Sequence, residues 1–267
     1  MAKPFGHRTN IYNTLAASAF VLLLVNPYLI MSVGFQLSYL AVLGIVYVQA
    51  PLYRLWEIDN AFGDWVWKIT TVSIAAQLAT FALGLLYFHQ FPVYFLFSNL
   101  FVIPGAFVIL LLGIGLLIFS FWSVLAAGIG KLLSLAIYIV NQGVFFIEGL
   151  PFSLLSDIYI NTLQSWLLIG VVVLILLVFD VKKFQFMYGA FVLSIGFFFA
   201  QHVNHRSYVK PASLSVYSIN GYGAVDFIQN SRSYLFTDSA LLSDEDRVRF
   251  HIRPNRVRSG VRKRQSL

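Results

Sequence analysis

Hydrophobic residues in this chain come in long unbroken runs, not in the narrow apolar stripes of a soluble helix. Runs that could cross a hydrocarbon core of about 30 Å fall at Ile11–Met31, Val33–Tyr53, Trp65–Tyr87, Tyr94–Phe121, Val124–Phe146, Leu163–Phe179 and Phe186–Ala200. Polar stretches separate them, with Arg54, Glu57, Asp59, Asn60 and Asp64 after the second run and His89-Gln90-Phe91-Pro92 after the third. Trp65, Trp67 and Tyr87 lie at the ends of the third run, as interfacial anchors do. The pattern predicts an all-α polytopic membrane protein of about seven transmembrane helices. Phe186–Ala200 is the shortest run and is expected to be tilted or thinly matched to the bilayer.

Two places depart from simple spans. Pro104-Gly105 interrupts the fourth run, which predicts a short helix or re-entrant piece ahead of the span proper. Phe152–Ile160 mixes Ser153, Ser156 and Asp157 with apolar residues, and reads as one helix lying along the interface.

From Gln201 the period changes to two. Leu214-Ser-Val-Tyr-Ser-Ile and Ala224-Val-Asp-Phe-Ile alternate, Asn220-Gly221 is a turn signal, and Asn230-Ser231 precedes Ser233-Tyr-Leu-Phe-Thr. That pattern predicts a small C-terminal β segment. Beyond about His251 the chain carries Arg253, Arg256, Arg258, Arg262, Lys263 and Arg264 among few apolar residues, and disorder is expected. The expected organisation is a membrane domain over 1–200, a β segment over 201–250 and a basic tail over 251–267.

Composition supports a lipid-solvated body. Of 267 residues, 59% are hydrophobic and 11% charged, against about 25% charged in ordinary soluble domains. Residues 1–200 carry seven Lys/Arg and six Asp/Glu, and residues 201–267 carry eleven and five, so the net charge of +7 belongs almost wholly to the end of the chain. Such an end can meet nucleic acid, anionic lipid or an acidic partner, or simply be solvated. The absence of cysteine excludes disulfides, thiolate metal sites and cysteine catalysis. The basic start, Lys3 to Arg8, leads into a long run ending at Asn26-Pro27-Tyr28 without a cleavage pattern, so that run is expected to be retained. Lys182-Lys183 marks a cytoplasmic loop, with Lys3 and Arg8 in agreement if the six runs before it are all spans, and the seventh span then places the β segment on the outer side.

Several of these residues carry a resemblance. Asn13-Thr-Leu-Ala-Ala-Ser-Ala-Phe, Asn26-Pro27 and Val33-Gly-Phe-Gln-Leu-Ser-Tyr-Leu-Ala-Val-Leu-Gly-Ile resemble the membrane domain of the ComEC competence family. So do Ser73-Ile-Ala-Ala-Gln-Leu-Ala-Thr, Phe88-His-Gln-Phe-Pro-Val-Tyr-Phe-Leu-Phe-Ser-Asn-Leu and Ile103-Pro104. The β segment is similar to the opening hairpin of the metallo-β-lactamase-like domain that many members carry, although the His-x-His-x-Asp-His metal motif is absent. Members usually have a soluble domain of OB type and further spans before the Gly-Phe-Gln-Leu-Ser region, so the chain is expected to be a fragment or truncated member. The resemblance implies part of a channel that takes up single-stranded DNA across a bacterial inner (cytoplasmic) membrane during natural transformation. It implies a cytoplasmic helicase-like motor and a periplasmic DNA-binding protein as partners, and leaves homo-oligomerisation open. The alternatives are a non-conducting remnant of a split gene, a small-solute transporter, or a nuclease, against which the missing metal motif argues.

Candidate channel-lining or gate positions are Gln36, Ser38, Gln77, Asn99, Phe91, Pro92, Pro104 and Lys131. Amides at bilayer depth, including Asn141 and Gln142, cost free energy in hydrocarbon unless bonded, so they either join helices or line a wet path. Pro92 and Pro104 flank Asn99, where freed backbone can mark a permeation site or a simple kink. Phe35, Tyr39, Phe91, Tyr94 and Phe97 offer rings on which bases can stack, or are ordinary apolar filling. Lys131, behind Gly128-Ile-Gly130, can meet a phosphate in a cavity or snorkel to the interface. It is no P-loop, because Leu132 stands where Ser/Thr is required. His202 and His205 could share a helix face but have no third ligand. Glu148 and Asp157 read as loop carboxylates. No catalytic, cofactor or metal site is predicted, and the chain is expected not to be an enzyme.

Overall fold

A computed structural model describes residues 10–156, 158–208, 212–219, 221–229, 232–244, 247–259, 261 and 263–266; in 204–208, 249–250, 257–258 and 263–266 it describes backbone only. Lys3, Arg8, Asp157, Asn220, Asn230-Ser231, Arg262 and the His205 side chain, all named above, lie outside the described residues.

The order is α1 (Ile11–Val25), a 3-10 turn (Pro27–Met31), α2 (Val33–Tyr53), α3 (Ala61–Phe88), β1 (Gln90–Pro92), α4 (Phe95–Ile118), α5 (Ser123–Glu148), β2 (Leu154–Ser156), α6 (Thr162–Val181) and α7 (Gln185–Tyr208). The C-terminal part follows with β3 (Ala212–Ile219), β4 (Tyr222–Gln229), β5 (Arg232–Thr237), α8 (Ser239–Ser243), a π turn (Val248–Ile252), α9 (Arg253–Arg258) and β6 (Lys263–Ser266). The chain divides into two compact units, residues 1–80 with 92–155 and residues 81–91 with 156–267.

Side-chain caps set several helix starts. Asn10, Asn26 and Ser32 accept the backbone N–H groups of Tyr12 (3.0 Å), Tyr28 (3.0 Å) and Phe35 (3.3 Å), satisfying donors that the first turn leaves open. Asn161 and Gln164 form a capping box at α6, with both bonds at 2.9 Å. Lys182 ends α6 in the left-handed region at φ 55°.

Four expectations need correction. Among the described residues six helices, α2 to α7, are long and apolar enough to cross a membrane, where about seven are expected. The first run breaks at Asn26-Pro27, because a residue before proline avoids the helical region. It leaves a 15-residue α1, which rises only about 22 Å. The last run forms a helix of 24 residues, of which Gln185–Val203 is apolar enough to cross. Pro104 lies inside a continuous α4, so no re-entrant piece precedes it; lost ladder bonds at a membrane proline can be met by local adjustment. Among the described residues of Phe152–Ile160 there is β2 and no helix: Phe152 turns at φ 58° and breaks any helical run.

The end of the chain is the fourth. The predicted antiparallel meander is present, with Ile219 opposite Tyr222 and Ala224 opposite Thr237. Gly221 sits at φ 84° between β3 and β4, where its missing Cβ admits the turn. The basic tail, however, is structured. Arg253–Arg258 is helical, Ile252 is fully buried, and β6 pairs parallel with β5. The reason is a buried polar network. Arg256 Nε donates to Asp226 Oδ2 at 2.7 Å and Ser233 Oγ to Asp226 Oδ1 at 2.6 Å, while Asn255 Nδ2 donates to Ser215 Oγ and Tyr217 OH. A carboxylate under the sheet needs such a partner, and the tail supplies it. Burial pushes the Tyr217 phenol above its usual range, opposed by the Asn255 bond.

Candidate functional site

Polar residues in the membrane helices fall into two groups, those with partners inside the chain and those without. In α3 the hydroxyls are partnered, while Gln77 has no partner among the described residues. Thr70, Thr71, Ser73 and Thr80 return their hydroxyls to backbone carbonyls three or four residues back, at 2.8–2.9 Å. Gln49 of α2 reaches the Thr71 hydroxyl at 3.5 Å. Close approach allows this: a Cβ on Gly44 would lie 2.8 Å from the Ala75 carbonyl oxygen and 2.4 Å from the Ala79 Cβ. Small residues bring membrane helices into such contact. At the start of α3, Asp64 pairs with Lys68 at 2.8 Å and accepts from the Tyr53 hydroxyl.

In α6 and α7, Gln164 hydrogen-bonds Gln201, and Ser165 donates to the Ala82 carbonyl at 3.2 Å. These amides hold the bundle together.

α5 is different. Leu133, Ala136, Val140, Gly143 and Ile147 are half-buried, at the spacing of one helix face. That face meets α4: a Cβ on Gly105 would strike the Val140 side chain, and a Cβ on Gly143 would strike the Phe101 ring. Beside this seam, Tyr94, Phe97, Phe101, Gly143, Phe146, Ile147 and Leu150 line an apolar groove of about 560 Å³.

The opposite face of α5 carries Lys131, Ser134, Tyr138, Asn141 and Gln142, all exposed. At 100° per residue they fall within about a third of the helix circumference, over an axial length of about 16 Å. Among the described residues none of these five side chains has a hydrogen-bond or ion-pair partner. Acyl chains can satisfy none of them, and each buried amide without a partner costs free energy. The stripe therefore calls for water or a polar partner against it.

The eight positions singled out in the sequence do not gather in one place; they are spread over α2, α3, β1, α4 and α5. Gln36 donates to the Ile30 carbonyl at 2.8 Å, bracing the turn between α1 and α2. Ser38 is exposed on α2, and Gln77 is half-buried on α3. Phe91 stacks edge-on against Phe81, with centroids 5.4 Å apart, and Pro92 closes β1. Asn99 and Pro104 are half-buried on α4, five residues apart and thus on different faces. Lys131 alone belongs to the stripe. Ser134 and Tyr138 were missed; their signal was the helical spacing that joins them to Lys131, Asn141 and Gln142. Also unmarked was His89, which turns the chain at φ 54° with its Nδ1 buried and unpartnered among the described residues. Burial holds its imidazole below the usual range. Among the described residues no three His, Cys, Asp or Glu side chains cluster as a metal site.

Among the described residues, six crossing-length helices define a polytopic helical membrane protein. A family profile described as "Competence protein" matches residues 1–185, and the chain belongs to that family. It is similar to ComE operon protein 3 of Bacillus subtilis (strain 168), with 29% identity over 140 residues. That alignment takes in 48% of this chain and 17% of the relative, so the chain spans a small part of the relative's length. No solved structure matches.

Proposed function

We propose that the chain forms part of a conduit for single-stranded DNA across the inner membrane in natural transformation, with the polar face of α5 against the wet path. The observation that carries this reading is the row of exposed, unpartnered donors on a helix of membrane length. A strand in transit needs backbone donors and some positive charge for phosphates, and tolerant surfaces for bases. Lys131 supplies a cation, Ser134, Asn141 and Gln142 supply neutral donors, and Tyr138 supplies a ring. Membership of the competence family supports the cargo.

The reading extends to the rest of the chain. The Lys182-Lys183 loop lies on the cytoplasmic side by the positive-inside rule, so the unit after α7 lies outside. With α1 too short to span, five crossings among the described residues precede that loop, and the orientation rests on Lys182-Lys183 without Lys3 and Arg8. Its strands open an outer domain of metallo-β-lactamase type without catalysing a reaction themselves. The partners are a cytoplasmic helicase-like motor and a periplasmic DNA-binding protein. Gln36, Ser38, Gln77, Asn99, Phe91, Pro92 and Pro104, spread over α2, α3, β1 and α4, serve as packing or gate positions.

The test is uptake of labelled DNA in competent cells at equal protein level. Asn141→Leu with Gln142→Leu is expected to lower transport by about tenfold or more, about 1.4 kcal/mol in barrier terms. Thr71→Val, which removes a hydroxyl bonded inside the chain, is expected to leave it unchanged. Normal uptake in the α5 double variant rejects the assignment.

A further inference from the structure

The sheet that follows α7 has two unlike faces. One carries Tyr217, Ile219, Ala224, Asp226, Ile228, Ser233 and Leu235, and α8, α9 and the π turn belong to its core with Leu241 and Ile252. The other is open. By register, Leu214 stands opposite Phe227, Val216 opposite Val225, Val225 opposite Phe236 and Phe227 opposite Tyr234. All six residues therefore lie on a single face. Leu214 is 66% exposed, Val216 75% and Phe236 52%, and the other three are half-buried. A contiguous apolar face of this kind marks an interaction surface.

We infer that this face docks on the lipid surface around α7. Two observations select lipid as the occupant. The first is reach. α7 is of membrane-crossing length, and only three residues separate its end at Tyr208 from the start of β3 at Ala212. Four peptide steps extend at most about 14 Å, so the first strand cannot leave the headgroup layer's neighbourhood. Leu214 and Val216 are two and four residues into that strand.

The second is charge. Arg256 is buried against Asp226 and Arg247 pairs with Asp244, but Arg232 lies on the same sheet face as Phe236, and Arg206 and Lys210 stand just before β3 in the sequence. Basic groups beside an apolar face fit an anionic headgroup bed. Apolar side chains inserted at the acyl boundary supply the rest.

Because the chain has no cysteine, single labels can be placed cleanly. The full chain carrying Val216→Cys or Phe236→Cys, labelled with an environment-sensitive fluorophore, is reconstituted in vesicles of phosphatidylethanolamine and phosphatidylglycerol. Both labels are expected to emit blue-shifted light and to lose most of it to lipids spin-labelled near the headgroup. A label at the exposed Ser239→Cys is expected to behave as in water. Adding Leu214→Asp should return the Val216 label to the aqueous spectrum, as should replacing the anionic lipid by phosphatidylcholine in part. Water-like emission from both face labels overturns the inference. So does shielding that lipid quenchers leave untouched, which would mean a protein cover: a second copy if it scales with protein density, or further polypeptide if it does not.

Discussion

α3 and α5 are both long helices of membrane-crossing hydropathy, and both carry several polar side chains, but α3 ties its hydroxyls back into the chain while α5 leaves its polar stripe unbonded among the described residues. In α3, Thr70, Thr71, Ser73 and Thr80 are bonded to the helix's own carbonyls, and Thr71 and Ser73 are buried. In α5, Lys131, Ser134, Tyr138, Asn141 and Gln142 point away from the α4 seam and are bonded to nothing among the described residues. Polar content in a membrane helix is therefore a poor guide to a conducting surface. Partnering is the better one, because a group already satisfied has little left to offer a passing phosphate or water.

The comparison can be pressed where partnering is strongest. Asp226→Ala strips the buried Arg256 of its carboxylate, and breaking a buried pair costs about 3–5 kcal/mol. The C-terminal unit should then be cut by trypsin at its arginines far faster than in the parent protein, with the accessibility of the α5 face unaffected. Next in size is Gly44→Val. Its added carbons collide with backbone at Ala75 and with Ala79, and overpacking costs about 1–3 kcal/mol. Unfolding in mixed micelles should reveal that loss, together with separation of Gln49 from Thr71.

The smallest effect belongs to Tyr217. Its phenol is held above the ordinary value by burial, so the neutral form is favoured in the folded state. The stability this contributes is complete below the unfolded value near pH 10 and drains away as pH rises through the folded one. Tyr217→Phe removes both the titration and the bond from Asn255, at a cost of about 0.5–1.5 kcal/mol. Alkaline unfolding should show the parent losing more stability above pH 10 than the variant does.

Much of this architecture was legible in the residues. The apolar runs located α2 to α7, and the alternation in Leu214–Ile219 and Ala224–Ile228 located the two strands that Gly221 joins. The misses share a cause, which is that hydropathy is blind to partners. It could not see that Asn26-Pro27 divides the first run, that Pro104 is carried within α4, or that Asp226 under the sheet would recruit Arg256 and order a tail that looks disordered by composition. At the candidate site, Lys131, Asn141 and Gln142 were visible singly. Ser134 and Tyr138 became informative only once α5 was a helix with its other face occupied by α4.

The central claim is that the polar face of α5 meets water at bilayer depth. Scanning single cysteines from Leu133 to Gln142 in the otherwise cysteine-free chain, in native membranes, with a membrane-impermeant thiol reagent tests it most directly. Fast labelling at 134, 138, 141 and 142, with protection at 133, 136 and 140, is the expected result. Uniform protection along the helix, or labelling without helical period, contradicts it.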